Sequence, residues 1–145
     1  MFKHLLICTD GSSLGNKAAK AGIELARALG ARVTAYHAIE PLLIYDEGYM
    51  MDQRTIESLE EGARAAGQKR VDAIGKQAKG AGVPFASMVT KGSSAYEGII
   101  NTAKKRKCDV IFMASHGRRG LSKLMMGSVT QKVLAHSRIP VVVYR

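Results

Sequence analysis

The chain has no tryptophan, and aromatic residues make up only 6% of its 145 residues. A stacking platform for single-stranded nucleic acid needs exposed aromatic rings, and this composition does not supply one. Nor does any stretch resemble a helix-turn-helix or an RNP motif. The basic runs "KKRK" and "GRRGLSK" therefore read as solvated faces, and no specific nucleic-acid partner is expected. Cysteine is almost absent too. Cys8 and Cys108 form no C-x-x-C pair, so zinc and thioredoxin-like chemistry lack support. Each lies in an apolar run and reads as a buried thiol. His4, His37 and His136 are scattered without metal-ligand spacing and read as structural. No apolar run approaches the roughly 20 residues of a membrane helix. The opening "MFKHLLICTDGSS" is too short and too soon interrupted for a signal peptide, and reads as a first strand. The expectation is a cytoplasmic protein with no membrane partner. Neither a P-loop nor a Rossmann G-x-G-x-x-G is present.

What is present is a regular alternation. Apolar, β-branched runs at 2–9, 31–39, 83–92, 108–115 and 139–145 predict strands. Between them, helical spacing predicts helices over 13–30, 53–79, 93–107 and 127–137. Ser12 or Ser13 can cap the first helix and Gly30 end it, while Gly80 and Gly82 close the second. Ser93 or Ser94 can cap the third, with Glu97 near N3. Segment 40–53, broken by Pro41 and Gly48, reads as a semi-ordered flap. Strands alternating with helices imply a parallel sheet with right-handed crossovers. No linker, low-complexity tract or repeat divides the chain, so one α/β doubly wound domain is expected over 1–145. A net charge of +10 favours anionic partners.

Such sheets bind ligands beyond the carboxyl ends of their strands, which directs attention to "TDGSS" after the first strand and "SHGRRG" after the fourth. In "MASHGRRGLSKLMMGS" at 113–128, Gly117, Gly120 and Gly127 can take positive φ and admit close approach to the backbone. Gly127-Ser128 opens a helix whose free amides suit an anion, and Ser128 can both cap that helix and donate to a phosphate oxygen. Arg118, Arg119 and Lys123 add positive charge. On residues alone, two readings stand: a phosphate cradle, or a basic surface loop with an ordinary cap. Asp10 either contacts a ligand or only caps a turn. His116 either touches a phosphate or fixes the loop by a hydrogen bond. No residue stands out as a catalytic base.

The spacing Ala114-Ser115-His116-Gly117, nine residues, then Gly127-Ser128 resembles the G-x2-G-x9-G-[ST] motif of ATP-binding members of the universal stress protein family. The resemblance extends to "ICTDGSSLGNKAAKAGIELA" and the closing "IPVVVYR". Ala114 stands where the family has its first glycine. The resemblance implies a five-stranded sheet of order 3-2-1-4-5 and a site for ATP, AMP or ADP, with Mg2+. In it Gly117, Gly127, Ser128 and Val129 would hold phosphates, flanked by Ala114, Ser115, His116 and Arg118. Asp10 would face the ribose or a phosphate-bound metal, with Thr9 also among the binding residues, and the backbone near His37 and Ala38 would face adenine. It also implies a homodimer through the last strand, Pro140 to Arg145, and a role as a stress-response sensor or regulator. Two alternatives accompany it: an interaction protein of the same fold that uses no nucleotide, and a slow ATPase.

Overall fold

A computed structural model describes residues 1–41, 51–118 and 125–145. Most of the expected flap (42–50) and the stretch holding Arg119, Gly120 and Lys123 (119–124) lie outside the described residues.

Among the described residues nine elements alternate: β1 (His4–Cys8), α1 (Ser13–Leu29), β2 (Arg32–Ile39), α2 (Gln53–Gly80), β3 (Phe85–Lys91), α3 (Ala95–Lys105), β4 (Val110–Ala114), α4 (Ser128–His136) and β5 (Val141–Tyr144). The five strands form one parallel sheet of order β3-β2-β1-β4-β5, as expected. β1 is central and every one of its residues is buried. A strand covered by helices on both faces favours apolar side chains, which explains the run from Leu5 to Cys8; His4, at its start, is buried against the Thr34 hydroxyl at 2.8 Å.

Alternation along the strands divides the core in two. Leu5 and Ile7 of β1, with Val110 and Phe112 of β4, pack with α1 and α2. Leu6 and Cys8, with Ile111 and Met113, pack with α3 on the opposite face, where Val133 of α4 joins them. Leu5, Leu6 and Ile7 are wholly inaccessible, each contributing about 1.5–3 kcal/mol by leaving water. Glycines set how closely the helices approach. A Cβ at Gly22 of α1 would come within 2.8 Å of Ile7 Cδ1, and one at Gly98 of α3 would overlap the Tyr36 hydroxyl.

The helix ends separate the expected caps from the real ones. Ser12 caps α1, its Oγ accepting from the Gly15 amide at 3.0 Å, and Gly30 ends it in the left-handed conformation at φ 63°. Asp52 caps α2 through the Thr55 amide at 2.7 Å. That helix runs through Gly80, and Gly82 makes the turn at φ 69°. Ser94 sits at the N-cap of α3 without capping it, because its buried Oγ reaches no partner. Glu97 is at N3 as expected, yet its carboxylate accepts from the Tyr96 hydroxyl. At α4 the cap position belongs to Gly127, in extended backbone at φ −62° and ψ 148°. Ser128 is already the first helical residue and so cannot be the cap. Both cysteines are buried free thiols.

Candidate functional site

β1 and β4 are neighbours, and the loops leaving their carboxyl ends open a cleft of about 620 Å3. Each wall derives from a local requirement of the chain.

The first wall is the turn after β1. Its ladder continues one step past Cys8, with the Thr9 amide donating to Tyr36 O at 3.0 Å. The chain then reverses at Gly11, whose φ of +78° demands glycine. Asp10 holds this turn together. Its Oδ1 accepts from the Ser12 amide at 2.9 Å, and its Oδ2 accepts from the Arg118 amide at 2.8 Å. One carboxylate thus joins the loop after β1 to the loop after β4. Burial alone would raise its pKa, but hydrogen bonds from Ser12 and the Arg118 amide outweigh that and lower it. Asp10 is therefore ionised at neutral pH.

The second wall is the junction of β4 and α4. Gly117 packs directly on Asp10, and a Cβ there would overlap Oδ2. The Gly127 amide donates to Ser115 O at 2.7 Å. A Cβ at Gly127 would lie 3.2 Å from His116 Cα. Neither glycine adopts the positive φ expected of it; both are needed for closeness of backbone to backbone or carboxylate. The Thr130 hydroxyl donates to Ala114 O at 3.0 Å, fixing the first turn of α4 to the end of β4. The first intrahelical bond of α4 runs from the Gln131 amide to Gly127 O. The amides of Ser128, Val129 and Thr130 therefore have no intrahelical acceptor, Gly127 at the cap supplies no side chain to them, and among the described residues these three line the cleft. Free amides and the positive end of the helix dipole favour an anion there.

The third wall comes from β2 and α2. Tyr36 O points towards β1, so strand alternation turns the Ala38 N–H and C=O the same way, beyond the end of β1. His37 is 7% exposed. Its Nδ1–H donates to Thr9 O at 2.8 Å, which leaves Nε2 to accept from Arg70 Nη1 at 3.1 Å. Burial, opposed by the Thr9 bond and reinforced by the Arg70 charge, lowers its pKa and keeps the ring neutral. Gly67 lets α2 lie against this ring, since a Cβ there would come within 2.6 Å of His37 Cδ2.

Of the residues singled out from sequence, Thr9, Asp10, His37, Ala38, Ala114, His116, Gly117, Arg118, Gly127, Ser128 and Val129 all line the cleft. Ser115 does not. It is 4% exposed, and its backbone is spent on Tyr144 and Gly127. Its hydroxyl bonds His116 Nδ1 at 3.1 Å, which fits the loop-fixing reading of His116. Ala114 ends β4 in ordinary strand backbone, and its methyl packs with the α1-side core. Arg70 was not expected in the cleft. The signal lay in the helix pattern: Arg70 continues the stripe of Ala63 and Ala66, seven and four residues on, and both alanines line the cleft.

The family model for the universal stress protein family matches residues 1–145. A universal stress protein of Thermus aquaticus is 31% identical over 145 residues, covering 100% of both chains. Among solved structures, a universal stress family protein from Burkholderia pseudomallei superposes with a TM-score of 0.78 at 21% identity, covering 99% of this chain and 96% of that one. A universal stress protein in complex with cAMP gives 0.73 at 19% identity, covering 99% and 97%. An Arabidopsis thaliana family member with AMP bound gives 0.68 at 14% identity, covering 97% and 90%. Sequence match and fold agree over the full length, and this chain belongs to the universal stress protein family.

Proposed function

We propose that the cleft binds an adenine nucleotide, ATP in the first instance, and that the protein works as a cytoplasmic, dimeric, nucleotide-dependent sensor or regulator. The observation that carries this reading is the start of α4, where glycine stands at the cap and, among the described residues, no side chain caps the helix. Its free amides at Ser128, Val129 and Thr130 stand in a cleft with Arg118 and Arg70. Phosphate is the anion such a site accommodates best. Gly117 and Gly127 keep the loop close enough for those amides to be reached. The Ala38 N–H and C=O, directed past the end of β1, present one donor and one acceptor, the complement of the N1 and N6 edge of adenine. Related folds with cAMP and with AMP bound support the same choice.

Asp10 is the carboxylate that would face a phosphate-bound Mg2+. Among the described residues no group of three or more His, Cys, Asp or Glu could hold a metal ion. The fit is therefore to an ion held by the phosphates and water, with one carboxylate oxygen lone pair completing its shell. When bound, Mg2+ would neutralise phosphate charge. The chain's own residues bind and orient, and none is placed as a general base, so a dedicated hydrolase is not proposed.

Equilibrium dialysis with ATP tests the reading. Binding that weakens about tenfold in Gly127→Ala supports it, since the added methyl pushes the loop off the α4 amides. Absence of binding at millimolar ATP removes it.

A further inference from the structure

Arg70 has a role that the glycine-spaced loop does not explain. It projects from α2 past Ala66 and Gly67, and its guanidinium lies across the turn after β1. A Cβ on Gly11 would lie 2.5 Å from Arg70 Nε, 2.9 Å from Arg70 Cδ and 3.3 Å from Arg118 Nη2. Two guanidinium groups thus meet over one turn. Among the described residues neither is in an ion pair. Asp10 is the nearby acid, and both its oxygens already accept from backbone amides. The like charges oppose each other and Asp10 offsets only part of this. His37, held as a neutral acceptor by its bond to Thr9 O, takes one Arg70 donor. It aims the fork without cancelling its charge. A guanidinium has five N–H donors in a plane, suited to bidentate phosphate contact.

Resting on the nucleotide reading above, we infer that Arg70, with Arg118, forms a second anion subsite, which takes the outer phosphates of a nucleoside di- or triphosphate. The α4 amides and this pair border the same cleft, and Asp10 joins its two loops through the Arg118 amide. One phosphate satisfies the helix amides. A longer chain carries more charge than those amides can offset, and the paired arginines supply the balance. Arg70 is then the residue that distinguishes polyphosphate from monophosphate, and it reports that distinction to α2.

Calorimetric titration of the whole protein with AMP, ADP and ATP separates the outcomes. In Arg70→Ala the ratio of ATP to AMP affinity falls about tenfold or more, the range expected for a lost hydrogen bond to a charged group. Arg70→Lys keeps the charge but not the fork, and recovers only part of the ratio. Thermal melts of each variant confirm folding. An unchanged ratio in Arg70→Ala, or full recovery of binding by neither variant with AMP and ATP lost equally, overturns the inference and leaves Arg70 as a brace for His37. If the wild-type protein binds none of the three nucleotides, the functional reading fails, and this inference with it.

Discussion

At Gly117 the space that a side chain would occupy is filled by the Asp10 carboxylate. Gly117→Ala must displace Asp10 from the Arg118 amide, uncoupling the two loops that form the cleft. Loss of about 1–3 kcal/mol is expected for a polar group left unsatisfied, read as a lower urea midpoint. Ala114 works the other way. Its methyl belongs to the α1-side core, so restoring the family's glycine by Ala114→Gly removes packing and frees the backbone. It should cost about 1 kcal/mol, and a stabilised variant would contradict this placement. His37 and His4 are both held below the usual histidine pKa of 6.5, chiefly by burial. The unfolded chain takes up protons near that value which the folded chain refuses. Stability is thus complete above it and declines as pH falls below 6.5, by at most about 1.4 kcal/mol per pH unit for each histidine. Urea titrations at pH 7.5 and 5.5 measure the difference.

Among the elements, nearly all boundaries were legible because the pattern is local. Continuous apolar runs mark the strands, helical spacing marks the helices, and glycine marks where α1 stops. The site loops were legible because ligands sit at the carboxyl ends of parallel strands and the family resemblance implied a strand order with β1 beside β4, which the sheet has. Caps were less legible. A serine before a helix is compatible with capping, but whether it caps depends on backbone torsions that no single residue reveals. Ser12 and Ser94 make the contrast measurable. Ser12→Ala loses a real cap bond and should cost about 1 kcal/mol. Ser94→Ala loses no cap bond and should stay within about 0.5 kcal/mol of wild type. For the glycines, close approach was read correctly and positive φ was not, for a similar reason. Sequence says that Gly117 and Gly127 lack a side chain, not whether torsion or contact requires it. Arg70 was missed because its reach depends on how α2 docks against β2 and β3, a long-range fact, and on Gly67 letting it lie against His37.

On the scale of the whole molecule, the carboxyl end of the sheet gathers the cleft proposed for a nucleotide, and β5 stands at the sheet's edge. Pro140 O and Tyr144 O accept from β4 and its loop. Alternation therefore turns the N–H groups of Val141 and Val143 to the open side, where a second copy can add a strand. Val143→Pro removes one outward donor without touching the β4 ladder. A dimer in wild type and a monomer in the variant, by sedimentation velocity, is the expected result; a dimer in both places the interface elsewhere.

The account turns on whether the cleft at the ends of β1 and β4 is where ATP binds. Amide chemical shifts followed by NMR during an ATP titration answer that directly. The account predicts saturable shifts at Asp10, Gly11, Ala38, Gly117, Ser128 and Val129, with residues 104–107 at the opposite end of the sheet unmoved. Shifts confined to that basic run, or none at millimolar ATP, would contradict it.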